Sequence, residues 1–436
     1  MPKLKKLVSD EGAFFENAFC NTPICCPSRA EVTTGRYMHN TKATNNGCGG
    51  REFQQNQELY NFAHFASTQA GYVPYYSGKY LNNYGAKAMG GTEHIPRGWK
   101  EWHALVGNSK YYNYNVSNNG ANEHYGSNYA TDYYTDKLKN DSATWIKSRG
   151  DTDDPFLMMI GTPCPHVPNI FAPQYSDMYT AVTSPRTPAW NRAPANATGP
   201  GAKHWFLQHV GPMDADHIAN SDLTFQDRWR CLQSVDDLVE ELVHTLEAKQ
   251  QLQNSYIMYS ADHGQHLGEW GMGFDKRQLY ETDIRVPLLV RGPGIAPGQR
   301  VAGLVAHIDL AVTMLAMAGV EKPPVMDGRS WLPLISGPES TKAKATAEWR
   351  HQILIEYNGP SLDPSGYTVE ELHDLSEREL SKSVSSLPTA GISRGRVLSE
   401  DGASDCGSVA DGYSCEGIGM CGGEHGAHGN IHCIHL

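Results

Sequence analysis

No apolar run in the 436-residue chain reaches the ~18–20 residues that a membrane-spanning helix requires. The stretch Met1 to Asp10 is basic but runs into Ser9-Asp10-Glu11, so it has no apolar signal-peptide core and taken literally reads as cytosolic. Three N-x-S/T acceptors, at Asn115, Asn140 and Asn196, would matter only in a secreted chain. Positive charge is scarce: 36 Lys and Arg against 48 Asp and Glu leave a net charge of −12, which argues against a nucleic-acid partner. An internal repeat is also missing. What is present is a globular composition, 39% hydrophobic and 19% charged, in a chain long enough to bury a large core. A chain this acidic would repel an anionic substrate unless basic residues gather locally, so single Lys, Arg and His within motifs carry weight.

Helix and strand patterns alternate, which predicts an α/β fold with a largely parallel sheet. Residues 57–70 place Leu59, Phe62, Phe65 and Ala66 on one helical face that ends at Gly71. Residues 155–161 (PFLMMIG) are a short continuous apolar run of the buried-strand type. Residues 228–250 carry apolar side chains at helical spacing, and Tyr256-Ile257-Met258-Tyr259 reads as a buried strand running into Asp262-His263-Gly264. A strand over 286–290 and a helix over 307–318 follow. Beyond about residue 359 periodicity fades, so the expected division is a catalytic domain over 1–358 and a Gly/Ser/Cys/His-rich tail over 359–436. That tail holds Cys406, Cys415, Cys421 and Cys433. The other cysteines are Cys20, Cys25, Cys26, Cys48, Cys164 and Cys231, and spacing alone fixes neither disulfides nor metal sites among them.

The strongest signal is Cys25-Cys26-Pro27-Ser28-Arg29 followed by Thr34-Gly35-Arg36. A lone cysteine is usually a small buried hydrophobe. Cys-x-Pro-Ser-Arg followed by Thr-Gly-Arg, however, resembles the sulfatase signature, whose first Cys is oxidised to formylglycine. The chemistry explains the residue type. A hydrated aldehyde offers two geminal hydroxyls: one attacks sulfur, and the other expels sulfate by collapsing back to the aldehyde. Arg29 would hold the hydrate and the charge on the metal side.

Asp262-His263-Gly264 follows a buried strand, where ligand sites of open α/β sheets lie. An Asp beside a neutral donor suits a hard or borderline cation, although the same Asp could merely cap a turn. His266, three residues on, is a candidate substrate contact. Lys79 in Ser77-Gly78-Lys79-Tyr80, His166 in Thr162-Pro163-Cys164-Pro165-His166, and Lys276 are single residues that alone would read as ordinary loop or solvated groups. Sulfate transfer needs cations on the nonbridging oxygens and a proton donor for the leaving alkoxide, and these groups suffice chemically.

Over roughly residues 1–358 the chain resembles the N-acetylglucosamine-6-sulfatases and the related heparan endosulfatases. The matching segments are TPICCPSRAEVTTGRYMHN, GKYLNNYG, EHIPRGWKEWHAL, KYYNYNV, SVDDLVEELV and DKRQLYETDIRVPLLVRGPGI. The resemblance implies an alkaline-phosphatase-like fold, a bound calcium (or magnesium) ion, and hydrolysis of sulfate esters on sugars or glycosaminoglycans. It also implies a secreted or lysosomal location and maturation by a formylglycine-generating enzyme. Lys79, His166 and Lys276 fall on its sulfate-binding and acid/base positions, with His166 the first choice for the leaving-group acid. Cys25, Asp262 and His263 fall on metal ligands.

Four departures from the pattern stand out. Many sulfatases have Asn at position 263, and others have His where Leu81 stands. A buried strand ending in paired acids is expected upstream of the signature, yet Met1 to Glu16 reads as helix-like, which suggests an upstream extension and weak calcium binding by the chain as given. The carboxyl-terminal subdomain is likewise not recognisable after residue 359. The competing readings are a phosphate or phosphonate ester hydrolase of the same fold, and a non-catalytic binder of sulfated glycans.

Overall fold

Phe156–Gly161 and Val73–Lys79 pair in parallel, with Gly78 opposite Gly161 at their carboxyl ends. The computed structural model describes residues 1–150, 154–192, 203, 207, 210–357 and 430–435. The strand expected over 155–161 is therefore observed, and Lys79 is the last residue of a strand rather than part of a turn. These two strands close one side of a five-stranded sheet continued by Glu101–Leu105, Tyr114–Asn118 and Ala121–Tyr125. A second sheet orders Gln299–Val301, Ala13–Phe15, Leu288–Arg291 and Ile257–Ser260. The sheets are mixed. Pairing is parallel next to Val73–Lys79 and antiparallel along Leu288–Arg291.

The edge strands of the two sheets share a core. Phe156 and Met158 from one, and Ile257 and Tyr259 from the other, pack against Leu4, Val8, Val239, Val243 and Leu246. Burial of this apolar surface, at roughly 25 cal/mol per Å², holds the carboxyl ends of both strands near one another. The long helix Ala215–Ala248 supplies much of the cover. It starts well before the expected residue 228 because the Asp214 side chain caps the backbone N–H of His217.

Two expectations are corrected. Residues 2–9 are helical, but Gly12 lies against the second sheet so closely that a Cβ there would sit 2.1 Å from the Val290 carbonyl. The chain consequently leaves the helix and enters the buried strand Ala13–Phe15, followed by Ala18–Phe19, so strands do precede Cys25. Neither ends in adjacent acids. The segment read as one helix over 57–70 is instead split at Asn61, whose side chain accepts from the His64 N–H and starts a new helix, Phe62–Ala70.

Of the expected tail, only Asn430–His435 is described; it pairs antiparallel with Gln352–Tyr357. Cys406, Cys415 and Cys421 lie outside the described residues, as does Asn196. Asn140 is exposed on the helix Tyr134–Ser148, and Asn115 lies on the strand Tyr114–Asn118.

Candidate active site

Cys25 opens the helix Cys25–Thr34, preceded by extended Ile24. Its sulfur therefore sits at the positive end of the helix, where an anion is favoured. Gly35 ends that helix in the left-handed conformation (φ 64°) and donates its N–H to Glu31, which is what the glycine of Thr34-Gly35-Arg36 is needed for. Cys26 points away and is bonded to Cys48, so of the adjacent pair only Cys25 keeps a free thiol.

Arg29, one turn into the helix, joins the pieces. Its Nε lies 2.9 Å from Asp262 Oδ2, and Nη1 donates to the Lys79 carbonyl at 2.7 Å. Glycine at 161 makes room for this, because a Cβ there would lie 3.2 Å from Arg29 Nη1 and 2.4 Å from the Lys79 carbonyl oxygen. Ser28 donates to the Asp262 carbonyl and is 3.0 Å from His307 Nδ1. His307 escaped the reading of the sequence. It is buried at the start of the helix Ile308–Met317, far from the motifs in sequence, and no spacing rule marks it.

Around the Cys25 sulfur the structure gathers His263, His166, Lys79 and Lys276. His263 Nε2 is 3.5 Å from Sγ and 3.8 Å from Asp262 Oδ1, while its Nδ1 is 2.7 Å from the Gly264 carbonyl. That contact makes Nδ1 the protonated nitrogen and leaves the Nε2 lone pair facing Cys25 and Asp262. Lys276 is brought in by its own loop. Arg277 donates its backbone N–H to Pro23, two residues before Cys25, and Gln278 donates to Asp283. His266 stands apart from this cluster: it is buried, with Nδ1 2.9 Å from Asp283 Oδ2, the same carboxylate that anchors the Lys276 loop.

The charges are strongly coupled. Burial alone would raise the Cys25 pKa, but the charges of Lys79 and then Lys276 bring it well below the usual thiol range. Burial also opposes ionisation of Asp262, yet His263, Arg29, Lys79 and Lys276 together hold that carboxylate well below its ordinary value. Lys79 is lowered to about 8, mainly by burial, with Arg29 and Lys276 adding to it. His166 is lowered to about 4 by burial and then by Lys79. Its Nδ1 is 2.7 Å from the Val167 carbonyl, so the ring is neutral at physiological pH and its other nitrogen faces Cys25. The result is a cationic pocket inside an acidic protein.

The donor atoms of Cys25, Asp262 and His263 all lie within 4.8 Å of one another, a grouping that can hold a metal ion. The residues fit a divalent cation in kind: one ionised carboxylate, one imidazole with a free lone pair, and the Cys25 head group.

The sulfatase family profile matches residues 1–320. The chain belongs to the sulfatase family. It is 43% identical over 380 residues to the N-acetylglucosamine-6-sulfatase of Homo sapiens and 42% identical to that of Bos taurus, covering 84% of this chain in both cases. An extracellular sulfatase SULF-1 homolog from Drosophila melanogaster is 40% identical over 363 residues, covering 82% of this chain and 31% of the relative. This sulfatase-family chain spans 66% of the length of the two mammalian relatives. Among solved structures, one captured in complex with its substrate D-glucosamine-2-N,6-O-disulfate superposes with a TM-score of 0.64 at 23% identity, covering 83% of this chain and 79% of that one. A phosphonate monoester hydrolase of Agrobacterium radiobacter gives 0.61 at 16% identity, covering 87% and 78%. At these identities the structures establish a shared fold. Among the described residues no helix is long and apolar enough to cross a membrane.

Proposed function

We propose that this protein hydrolyses sulfate esters on a glucosamine-type sugar, with formylglycine derived from Cys25 as nucleophile. The observation that carries the reading is the setting of Cys25: a free head group at a helix start, facing Asp262 and His263 on one side and Lys79, Lys276 and His166 on the other. The names of the mammalian relatives, and the disulfated glucosamine bound by the protein of the same fold, support the sugar. In the structure Cys25 Sγ stands in for the oxygens of the hydrated aldehyde.

One hydroxyl of that hydrate attacks sulfur in line with the departing sugar oxygen. Lys79 and Lys276 neutralise the nonbridging sulfate oxygens as charge builds there. His166 is neutral in the free site, and the negative charge of an arriving sulfate ester favours its protonated form. It then gives that proton to the leaving alkoxide. Loss of the proton from the second hydroxyl breaks the carbon–oxygen bond to sulfate, restoring the aldehyde, which water rehydrates. Asp262, His263 and the Cys25 hydrate would hold calcium, which lowers the pKa of the attacking hydroxyl and draws charge from the sulfate. Arg29 keeps Asp262 ionised and turned toward that position. His266 acts through Asp283, on the loop that carries Lys276, rather than on the sugar directly. Maturation by a formylglycine-generating enzyme, and the Cys26–Cys48 bridge, fit a secretory route.

The test compares purified, matured protein on N-acetylglucosamine-6-sulfate, an aryl sulfate and an aryl phosphate. Turnover of both sulfates well above the phosphate supports the reading. Preference for phosphate would favour the phosphoester hydrolase, and sugar binding with no turnover would favour a glycan-binding remnant.

A further inference from the structure

Cys20, Cys25, Cys164 and Cys231 carry free thiols, and the last two share one buried cluster of the core. Cys164 lies in the loop between the strand Phe156–Gly161 and His166; Cys231 lies on the long helix Ala215–Ala248. Both are buried in one cluster with Tyr111, Tyr133, Ala172 and Val235, and each thiol lies close enough to the other to shift its ionisation. A sulfur that merely fills space needs no polar neighbours. Here Thr135 Oγ1 lies 3.1 Å from Cys164 Sγ and Tyr133 Oη 3.8 Å from it. The same tyrosines tie down the loop: Tyr111 donates to the His166 carbonyl at 2.6 Å, and Tyr133 to that of Ile170 at 3.0 Å.

We propose that Cys164 and Cys231 form a second disulfide, one that fastens the His166 loop to the long helix. Two buried thiols of one cluster, each close enough to shift the other's ionisation, reach the S–S distance of about 2.05 Å by side-chain adjustment. Burial opposes ionisation of Cys164, but Cys231 and then Thr135 beside it outweigh that and lower its pKa, making Cys164 the attacking thiolate. The chemistry balances as thiol–disulfide exchange with a small-molecule or protein disulfide. Cys164 attacks the oxidant and displaces its first thiol, and Cys231 then attacks the Cys164 sulfur of the mixed disulfide, closing the bridge and releasing the oxidant's second thiol. The two cysteines lose two electrons and two protons together, and the oxidant becomes two thiols. The loop is exposed to that oxidant during folding, in the same compartment that joins Cys26 to Cys48.

Full-length protein from a secretory host, with its Cys26–Cys48 bridge verified, is denatured at low pH with an alkylating agent and digested without reduction. The expected result is a linked peptide pair carrying Cys164 and Cys231, about 2 Da lighter than the two peptides together and separated by reductant. Recovery of Cys164 and Cys231 as alkylated single peptides would overturn the proposal. As a second measurement, the Tm of C231S should lie about 5 °C or more below that of wild type. Reductant should then remove most of that difference, because only wild type has this bridge to lose. A difference unchanged by reductant would attribute it to core substitution and count against the bridge.

Discussion

Arg29 and Asp262 form the joint on which the site depends, with Nε 2.9 Å from Oδ2. The guanidinium belongs to the signature helix, and the carboxylate follows the strand Ile257–Ser260. A second guanidinium nitrogen reaches the carbonyl of Lys79, at the end of the strand Val73–Lys79. One planar, multiply donating side chain therefore registers three elements, a task for which lysine is not equivalent. It also occupies one oxygen of Asp262 and leaves Oδ1 directed toward His263, 3.8 Å from Nε2.

Cys25, and not Cys26, should be the residue that becomes formylglycine. Peptide mass spectrometry of protein made with the modifying enzyme should show Cys25 lighter by about 18 Da, as thiol gives way to aldehyde. C25A should abolish turnover while leaving the fold intact. Modification at Cys26, or activity surviving in C25A, would overturn the nucleophile assignment.

Lys79 should set an alkaline limit on activity. With its pKa lowered to about 8, it carries its charge below that pH and loses it above. If Lys79 neutralises the sulfate oxygens as proposed, kcat/KM should fall as pH rises through about 8. K79R, whose guanidinium stays charged, should extend activity to higher pH even if its plateau is lower. K79A should cost ~10²–10³-fold in kcat. An alkaline limb that does not move in K79R would assign it to another group.

His166 should show its role through the leaving group. H166A removes the proton donor, which matters most when the departing oxygen is a poor leaving group. Turnover of a sugar sulfate should drop ~10²-fold or more, and that of nitrophenyl sulfate much less. Equal losses on both substrates would mean that His166 binds sulfate and does not protonate the leaving oxygen.

Asp262 should govern metal affinity. Chelation should lower activity reversibly, and calcium titration of D262N should give a Kd at least ~10-fold weaker than wild type. Because Arg29 would lose its partner, D262N should also lower Tm; R29K, which keeps a charge beside Asp262, should lower it less. Unchanged calcium affinity in D262N would remove this carboxylate from the coordination set.

Chemistry written in contiguous residues was legible in the chain itself. Cys25 to Arg29 and Asp262 to Gly264 are each one local turn, so their residue types and spacing survive as a pattern. Apolar runs likewise announced Phe156–Gly161 and the strand before Asp262. Lys79, His166 and Lys276 were legible only through resemblance, since a single basic residue after a strand has no periodicity to mark it. Ala13–Phe15 was misread because strand pairing with Leu288–Arg291 and Gln299–Val301 overrode the helical pattern of the residues before it.

The amino-acid sequence by itself determined the α/β class and marked out the proposed nucleophile and the carboxylate that accompanies it, because each is set by local residue order. Tertiary structure alone decided that Cys26 is committed to Cys48 and that His263 presents Nε2 to Cys25. It also decided that His266 faces Asp283, that His307 lies behind Ser28, and that Cys164 shares a buried cluster with Cys231. Those are contacts between residues distant in sequence. They exist only because burial of a shared core brings the ends of separate strands and helices to one place, and no spacing rule along the chain encodes that meeting.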